Sequence, residues 1–228
     1  MPSPTVELAI PDQDRRLVLC AALCAVAAAL LMVTWDRGLS ASVLAWEAPL
    51  ARLLFTKATW LGDWRVEAAA LLLAVAGGGL LGRSRFFAAG LCGVGGLFTA
   101  GLLTQLLKYT SCRVRPLFPE AGTFQLLPCY QEGMDSFPSG HASQAFAIAV
   151  VVAAAYPRLA LPLYGLAAAI GLSRVVLGAH YASDVLAGIA VGLLAGALCR
   201  RHLPRLAVGL AAWRLGQRSA LERPSSSP

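Results

Sequence analysis

Residues 181–201 read YASDVLAGIAVGLLAGALCRR. From Tyr181 to Cys199 only Asp184, near the start, carries a charge, and the run closes on Arg200-Arg201. A stretch of this length and polarity suits a membrane-crossing helix. Gly188, Gly192 and Gly196 recur at every fourth residue, which gives such a helix one flat face for close packing.

The rest of the chain follows the same pattern. Hydrophobic residues make up 57% of its 228 residues and charged residues 14%, against roughly 45–50% and about 25% in soluble domains. A globule of this size cannot hide that much apolar surface from water. The predicted class is an all-α integral membrane protein with six transmembrane helices in a bundle. The net charge of +7 could suggest nucleic acid, but the cations sit mostly at the ends of apolar runs. Membrane orientation explains them better, and no nucleic-acid partner is expected.

The spans are placed at about residues 17–35, 66–82, 86–107, 140–156, 159–177 and 181–199. A polar tail, 1–14, precedes the six-span domain, 15–201, and a basic tail, 202–228, follows it. The first apolar run, Leu17 to Val33, is longer than a signal-peptide core of about 7–15 residues and lacks a small-x-small cleavage site, so it reads as an uncleaved span. Between spans one and two, Val43, Trp46, Leu50, Leu53 and Leu54 recur at helical spacing among Glu47, Arg52 and Lys57. They predict a helix lying in the interface, beside a belt of Trp35, Trp46, Trp60 and Trp64. Gly77 to Gly82 matches Gly-x-Gly-x-x-Gly literally. Without a preceding strand or a following acidic ribose ligand, it reads as small-residue helix packing. In the basic tail, Leu206, Leu210 and Trp213 share a helical face that could rest on anionic lipid.

Six spans put both termini on one side. That side holds 11 of the 19 Lys and Arg, including Arg15, Arg16, Arg83, Arg85, Arg158, Arg200 and Arg201. Eight acids share the other side with the remaining 8 cations. The positive-inside rule therefore predicts cytoplasmic termini. The ends of spans three and five and the starts of spans four and six then face out.

Three polar islands lie at those four ends. The first, Lys108 to Pro116, carries Lys108, Arg113 and Arg115. Interfacial snorkelling explains any single such cation, whereas Arg offers a planar fork suited to phosphate oxygens. The second, Pro138-Ser139-Gly140-His141, opens the fourth span. It reads either as an ordinary capped helix start or as an anion site built from free N–H groups. There Gly140 lets the backbone approach closely and Ser139 caps the helix or donates its hydroxyl to a phosphate oxygen. The third, Ser173 to Asp184, places His180 and Asp184 four residues apart, hence on one helical face, with Arg174 nearby. An Asp bonded to one imidazole nitrogen leaves the other free to attack. Each island has a bland explanation. Their coincidence on one face describes a site for a phosphate dianion.

The pattern Lys-x6-Arg-Pro, then Pro-Ser-Gly-His, then Ser-Arg-x5-His-x3-Asp resembles the three signature motifs of the type 2 phosphatidic acid phosphatase superfamily. The resemblance covers roughly residues 66–200. It implies that His180 is the nucleophile forming a phosphohistidine, that Asp184 orients it, and that His141 is the general acid and later the base. Lys108, Arg115, Ser139, Gly140 and Arg174 would form the phosphate cradle, with no metal and no cofactor. It implies a lipid phosphate phosphatase of a bacterial inner membrane whose site faces the periplasm. Family substrates are phosphatidylglycerol phosphate, phosphatidate, undecaprenyl pyrophosphate and lipid A, and the motifs do not choose among them. A lipid phosphotransferase using the same phosphohistidine, an inactive transporter or scaffold, and a vanadate-dependent haloperoxidase share the pattern. The last is soluble and much longer. Oligomeric state stays open, since the Gly188, Gly192 and Gly196 face could pack within or between chains.

Cys20, Cys24, Cys92 and Cys199 lie in apolar runs, where a thiol is a small hydrophobe. Cys112 and Cys129 lie in the outer polar loop, in a disulfide-permissive compartment. They are predicted to pair, closing a loop worth about 3 kcal/mol in the chain-entropy model. Thiol labelling of the unreduced protein should leave both unmodified; labelling at both positions would exclude the bond.

Overall fold

The computed structural model describes residues 11–125, 132–209 and 211–212. The helices are α1 (Pro11–Thr34), α2 (Asp36–Ala45), α3 (Pro49–Leu61), α4 (Trp64–Leu80), α5 (Ser84–Ser111), α6 (Gly140–Ala155), α7 (Ala160–Val176) and α8 (Ala182–Arg200). A 3-10 turn, Pro157–Leu159, leads into α7. Among the described residues there is no strand, only an isolated antiparallel bridge between Arg113 and Phe124.

Among the described residues, four segments are long and apolar enough to cross a membrane: 12–34, 84–111, 157–176 and 182–209. Leu23, Val26 and Val33 of α1 are more than half exposed, which suits contact with lipid. The other two expected crossings coincide with shorter helices, α4 of 17 residues and α6 of 16. Pro138 and Pro157 flank α6 and limit its length. Its buried residues lie on most sides, including Ala142, Ala145, Phe146, Ala149 and Val151, so it is wrapped by protein.

Three boundaries differ from the sequence reading. First, α1 begins at Pro11, within the stretch expected to be tail, with Asp12 and Asp14 in its first turn. Pro suits the first helical turn and carboxylates suit the positive end of the dipole. Second, the single helix expected at the interface is two. Pro49 starts α3, and Arg52 Nη2 donates to the Leu44 carbonyl of α2 at 3.1 Å, closing the break. Third, Leu203 is buried and Leu206 packs with it against Ala88, Cys92 and Val151. The start of the basic tail is thus tucked onto α5 and α6, while Leu210 and Trp213 lie outside the described residues.

The centre of the bundle is the α6–α8 pair. The glycine face turns inward. A Cβ at Gly188 would stand 2.5 Å from the Ser139 carbonyl oxygen, and one at Gly192 would strike the Ser143 carbonyl. These glycines therefore pack within the chain and let two backbones touch. Around the pair, α1 lies on α8, α5 on α6, α4 on α5, and α3 on α7. Asp14 joins the opposite ends of the chain: its Oδ1 accepts from Arg200 Nη2 at 2.6 Å and its Oδ2 from Arg201 Nε at 2.8 Å. At the other pole the Ser139 N–H donates to the Asp184 carbonyl at 2.9 Å, which fixes the start of α6 against the start of α8.

Gly192→Val should cost about 1–3 kcal/mol of stability through overpacking, read as a lowered unfolding midpoint in detergent. Gly165→Val is the control, because nothing lies within 4 Å of its added Cβ. Equal midpoints for the two variants would remove the glycine face from the account.

Candidate active site

The polar pole gathers the sequence-predicted residues. Lys108 sits in the last turn of α5 and Arg174 in the last turn of α7. Gly140 and His141 open α6, and Asp184 lies in the first turn of α8. His180 occupies the short connection before α8, so it does not share a helical face with Asp184 as their spacing predicts; the helix is capped at Tyr181 instead. Lys108, Arg115, Gly140, His141, Arg174 and His180 line one cavity of about 330 Å³. The two other predicted residues stand outside that wall. Ser139 is fully buried, and its hydroxyl neither caps α6 nor has a partner. Asp184 lies behind His180.

His180 is 2% exposed. Burial pushes its imidazole down to about 4, against the opposing pull of the Asp184 carboxylate, so the ring is neutral near pH 7. Its Nδ1 lies 3.5 Å from Asp184 Oδ2, beyond a good hydrogen bond, and is otherwise unpartnered. The carboxylate therefore biases the ring through charge and proximity more than through a formed bond.

What holds Asp184 was not read from the sequence. Arg113 Nη1 donates to Asp184 Oδ1 at 2.5 Å and to Ser183 Oγ at 2.7 Å. Its Nη2 donates to Asp36 Oδ2 at 2.8 Å. The guanidinium lies over the Tyr181 ring at 4.1 Å, a cation–π contact. Asp36 also accepts from the Ser183 N–H at 3.1 Å and from the Ser183 hydroxyl. Asp184 Oδ2 accepts from Ser136 Oγ at 2.5 Å and from the Tyr181 N–H at 2.9 Å. Arg113, Asp36 and Asp184 form a buried ion triad. The available signals were weak: an acid at the foot of the first span, which needs a partner, and a third cation inside a spaced Lys–Arg pair.

Asp135 is the second omission. Arg115 grips its carboxylate with two bonds, both 2.8 Å, and Lys108 Nζ donates to its backbone carbonyl and lies 3.4 Å from Oδ2. Burial alone would raise this carboxyl, but Lys108 and Arg115 outweigh it and hold it below its usual range. On the opposite wall, Arg174 Nη1 donates to Thr59 Oγ1 of α3 at 2.6 Å. Helix α3 thus reaches the site.

Residues 89–206 match the family model described as the PAP2 superfamily. The chain belongs to the PAP2 superfamily. A lipid A 1-phosphatase of Rhizobium johnstonii is 40% identical over 95 residues, 41% of this chain and 39% of that protein. Phosphatidylglycerophosphatase B of Bacillus subtilis is 35% identical over 107 residues, 42% of this chain and 49% of that protein. The match thus spans about two fifths to one half of these PAP2 relatives. The crystal structure of a transmembrane PAP2 type phosphatidylglycerolphosphate phosphatase from Bacillus subtilis superposes with a TM-score of 0.62 at 26% identity. It covers 85% of this chain and 96% of that one.

Cys112 is disulfide-bonded, and Cys20, Cys24, Cys92 and Cys199 are free. Cys129 lies outside the described residues.

Arg113→Met would leave Asp36 and Asp184 buried without their counter-charge, a change that costs about 3–5 kcal/mol. Arg113→Lys should rescue only part, since a point charge cannot bridge two carboxylates as a fork does. Thermal unfolding of both variants in detergent checks this. A wild-type midpoint for Arg113→Met would show that the triad does not hold the site.

Proposed function

We propose that this chain is a membrane-embedded lipid phosphate phosphatase acting on a phosphomonoester or pyrophosphate. The observation that carries the reading is the single cavity lined by Lys108, Arg115, Gly140, His141, Arg174 and His180, with Asp184 behind the histidine. Membership of the PAP2 superfamily and the names of the relatives support it.

In the proposed reaction the phosphate enters the cavity and takes hydrogen bonds from Lys108, Arg115 and Arg174. The N–H groups at the start of α6 add a positive dipole end. His180 attacks phosphorus with its free Nε2. The P–N bond forms as the P–O bond to the lipid breaks, and His141 gives its proton to the leaving oxygen. Water then attacks the phosphohistidine, passing a proton to His141, and inorganic phosphate leaves as the P–N bond breaks. Asp184 orients the ring and offsets the positive charge that develops on it. The three cations offset charge on the equatorial oxygens, the main source of acceleration in phosphoryl transfer. The scheme uses no metal.

In this reading α4 and α6 complete six crossings with both termini in the cytoplasm. The site then opens to the periplasmic face of a bacterial inner membrane, where an outer-leaflet lipid reaches it with its tail still in the bilayer. The candidates remain phosphatidylglycerol phosphate, phosphatidate, undecaprenyl pyrophosphate and lipid A. A Cys112–Cys129 disulfide fits that compartment.

Purified protein assayed for phosphate release across those lipids should turn over at least one of them. His180→Ala should lower kcat by at least about 10³-fold while keeping its unfolding midpoint. Wild-type release by His180→Ala would overturn the histidine mechanism.

A further inference from the structure

Three of the helices that line the phosphate cavity also line a second one, deeper in the bundle. On α6, Ala145 and Ala149 follow His141 at intervals of four residues. On α7, Ile170 and Leu166 precede Arg174 at the same interval. On α4, Glu67 and Leu71 follow Trp64. These deeper residues line a second cavity of about 240 Å³. Four residues of helix are about 6 Å, so the second cavity begins one turn below the cations. At the α3–α4 corner Gly62 packs against His141 of the first cavity and Ile170 of the second, so the two are neighbours. A Cβ at Gly62 would stand 3.2 Å from His141 Cδ2 and would strike Ile170.

This second cavity is almost wholly apolar, and one side chain breaks the pattern. Glu67 is 8% exposed, and its Oε2 is buried without a hydrogen-bond partner. An unpaired carboxyl at membrane depth is costly unless it has a use. No residue of the proposed phosphate chemistry touches it. As a carboxylic acid it offers one O–H donor and an acceptor oxygen.

We propose that this cavity seats the acyl chain of the substrate, and that Glu67 hydrogen-bonds the ester, amide or hydroxyl group joining chain to headgroup. Such a group lies only a few bonds from the phosphate of an acylated lipid phosphate, and Glu67 lies one helical turn from Trp64 of the phosphate cavity. An isoprenoid phosphate has no hydrogen-bonding group along its chain and would leave the carboxyl unpaired. A site built to hydrogen-bond its substrate discriminates against an analogue lacking the partner group. The assignment rests on the lipid phosphate phosphatase reading and narrows its substrate class to acylated lipids.

The test compares wild type, Glu67→Leu and Glu67→Gln on dioleoyl phosphatidate, farnesyl phosphate and para-nitrophenyl phosphate. In Glu67→Leu, kcat/KM for phosphatidate should fall about five- to tenfold relative to each of the other two. Glu67→Gln, which keeps a donor and an acceptor, should restore most of the preference. A uniform loss on all three substrates, or an unchanged preference, overturns the proposal. Should Glu67→Leu fail to fold, Leu166→Trp fills the same cavity from its lipid-facing edge and should lower kcat/KM for phosphatidate relative to para-nitrophenyl phosphate; an unchanged ratio overturns the proposal. Binding separates this from failure of the functional reading. In a His180→Ala background, Glu67→Leu should weaken binding of dioleoyl phosphatidate by a similar factor and spare farnesyl phosphate, which has no ester for Glu67 to bond. Equal weakening of both overturns the assignment of Glu67 to the linking group. Absence of wild-type turnover on every lipid would sink the phosphatase reading, while the binding comparison would still decide the role of Glu67.

Discussion

The active pole is organised around one guanidinium. Arg113 is 1% exposed and joins three parts of the chain: Asp36 at the head of α2, the polar loop that carries Arg113 itself, and Asp184 at the head of α8. Burying an arginine between two carboxylates is expensive in desolvation, which good hydrogen-bond geometry has to offset; both terminal nitrogens of Arg113 are paired, while its Nε has no partner. Ser183, Ser136 and the Tyr181 backbone provide much of that geometry on the carboxylate side. The result is a charged cluster that cannot be taken apart one residue at a time. It fixes the loop between α5 and α6 against α8, and so sets Arg115, Asp135 and His180 relative to one another.

A second constraint works through absence of bulk. The glycine face of α8 brings the α6 backbone into contact, so the Ser139 N–H can reach the Asp184 carbonyl. His141 at the mouth of α6 and His180 before α8 then belong to one pocket wall. The charges around that wall are graded. Behind His180 the Asp36–Arg113–Asp184 triad is net negative, while in front of it Lys108, Arg115 and Arg174 are positive. Asp135 engages two of those cations, so a phosphate bound as proposed would have to compete with it for their donors. Below this polar layer the same helix faces turn apolar within one turn. An amphipathic substrate with its headgroup above and its chain below matches the gradient.

Much of this was legible in the residues. Apolar runs closed by arginines identified the helices, because backbone in lipid must satisfy its own hydrogen bonds. Spacing brought His180 beside Asp184, though across the connection before α8 and not on a shared helical face. The ends of the runs gathered Lys108, Arg115, His141 and Arg174 at one pole. The interfacial segment was readable as helical but not as two helices, since its period carries across the break at Pro49. The reach of α1 back to Pro11 was hidden for a related reason: a charged first turn looks like a tail when only hydropathy is followed.

By itself, the sequence determined the membrane class, the helical identity of the runs and the list of charged groups at the polar pole, since these follow from local composition and period. Only the tertiary structure decided that the Gly188, Gly192 and Gly196 face packs inside the chain, that Asp36 and Arg113 stand behind Asp184, and that Glu67 faces an apolar cavity beneath the cations. Partner choice among buried charges depends on which helix ends come within about 3 Å of each other. That distance is set by side-chain volume and backbone approach across residues far apart in the chain, and no local pattern records it. Asp36 and Arg113 are separated by 77 positions, and the sequence carries no mark that joins them.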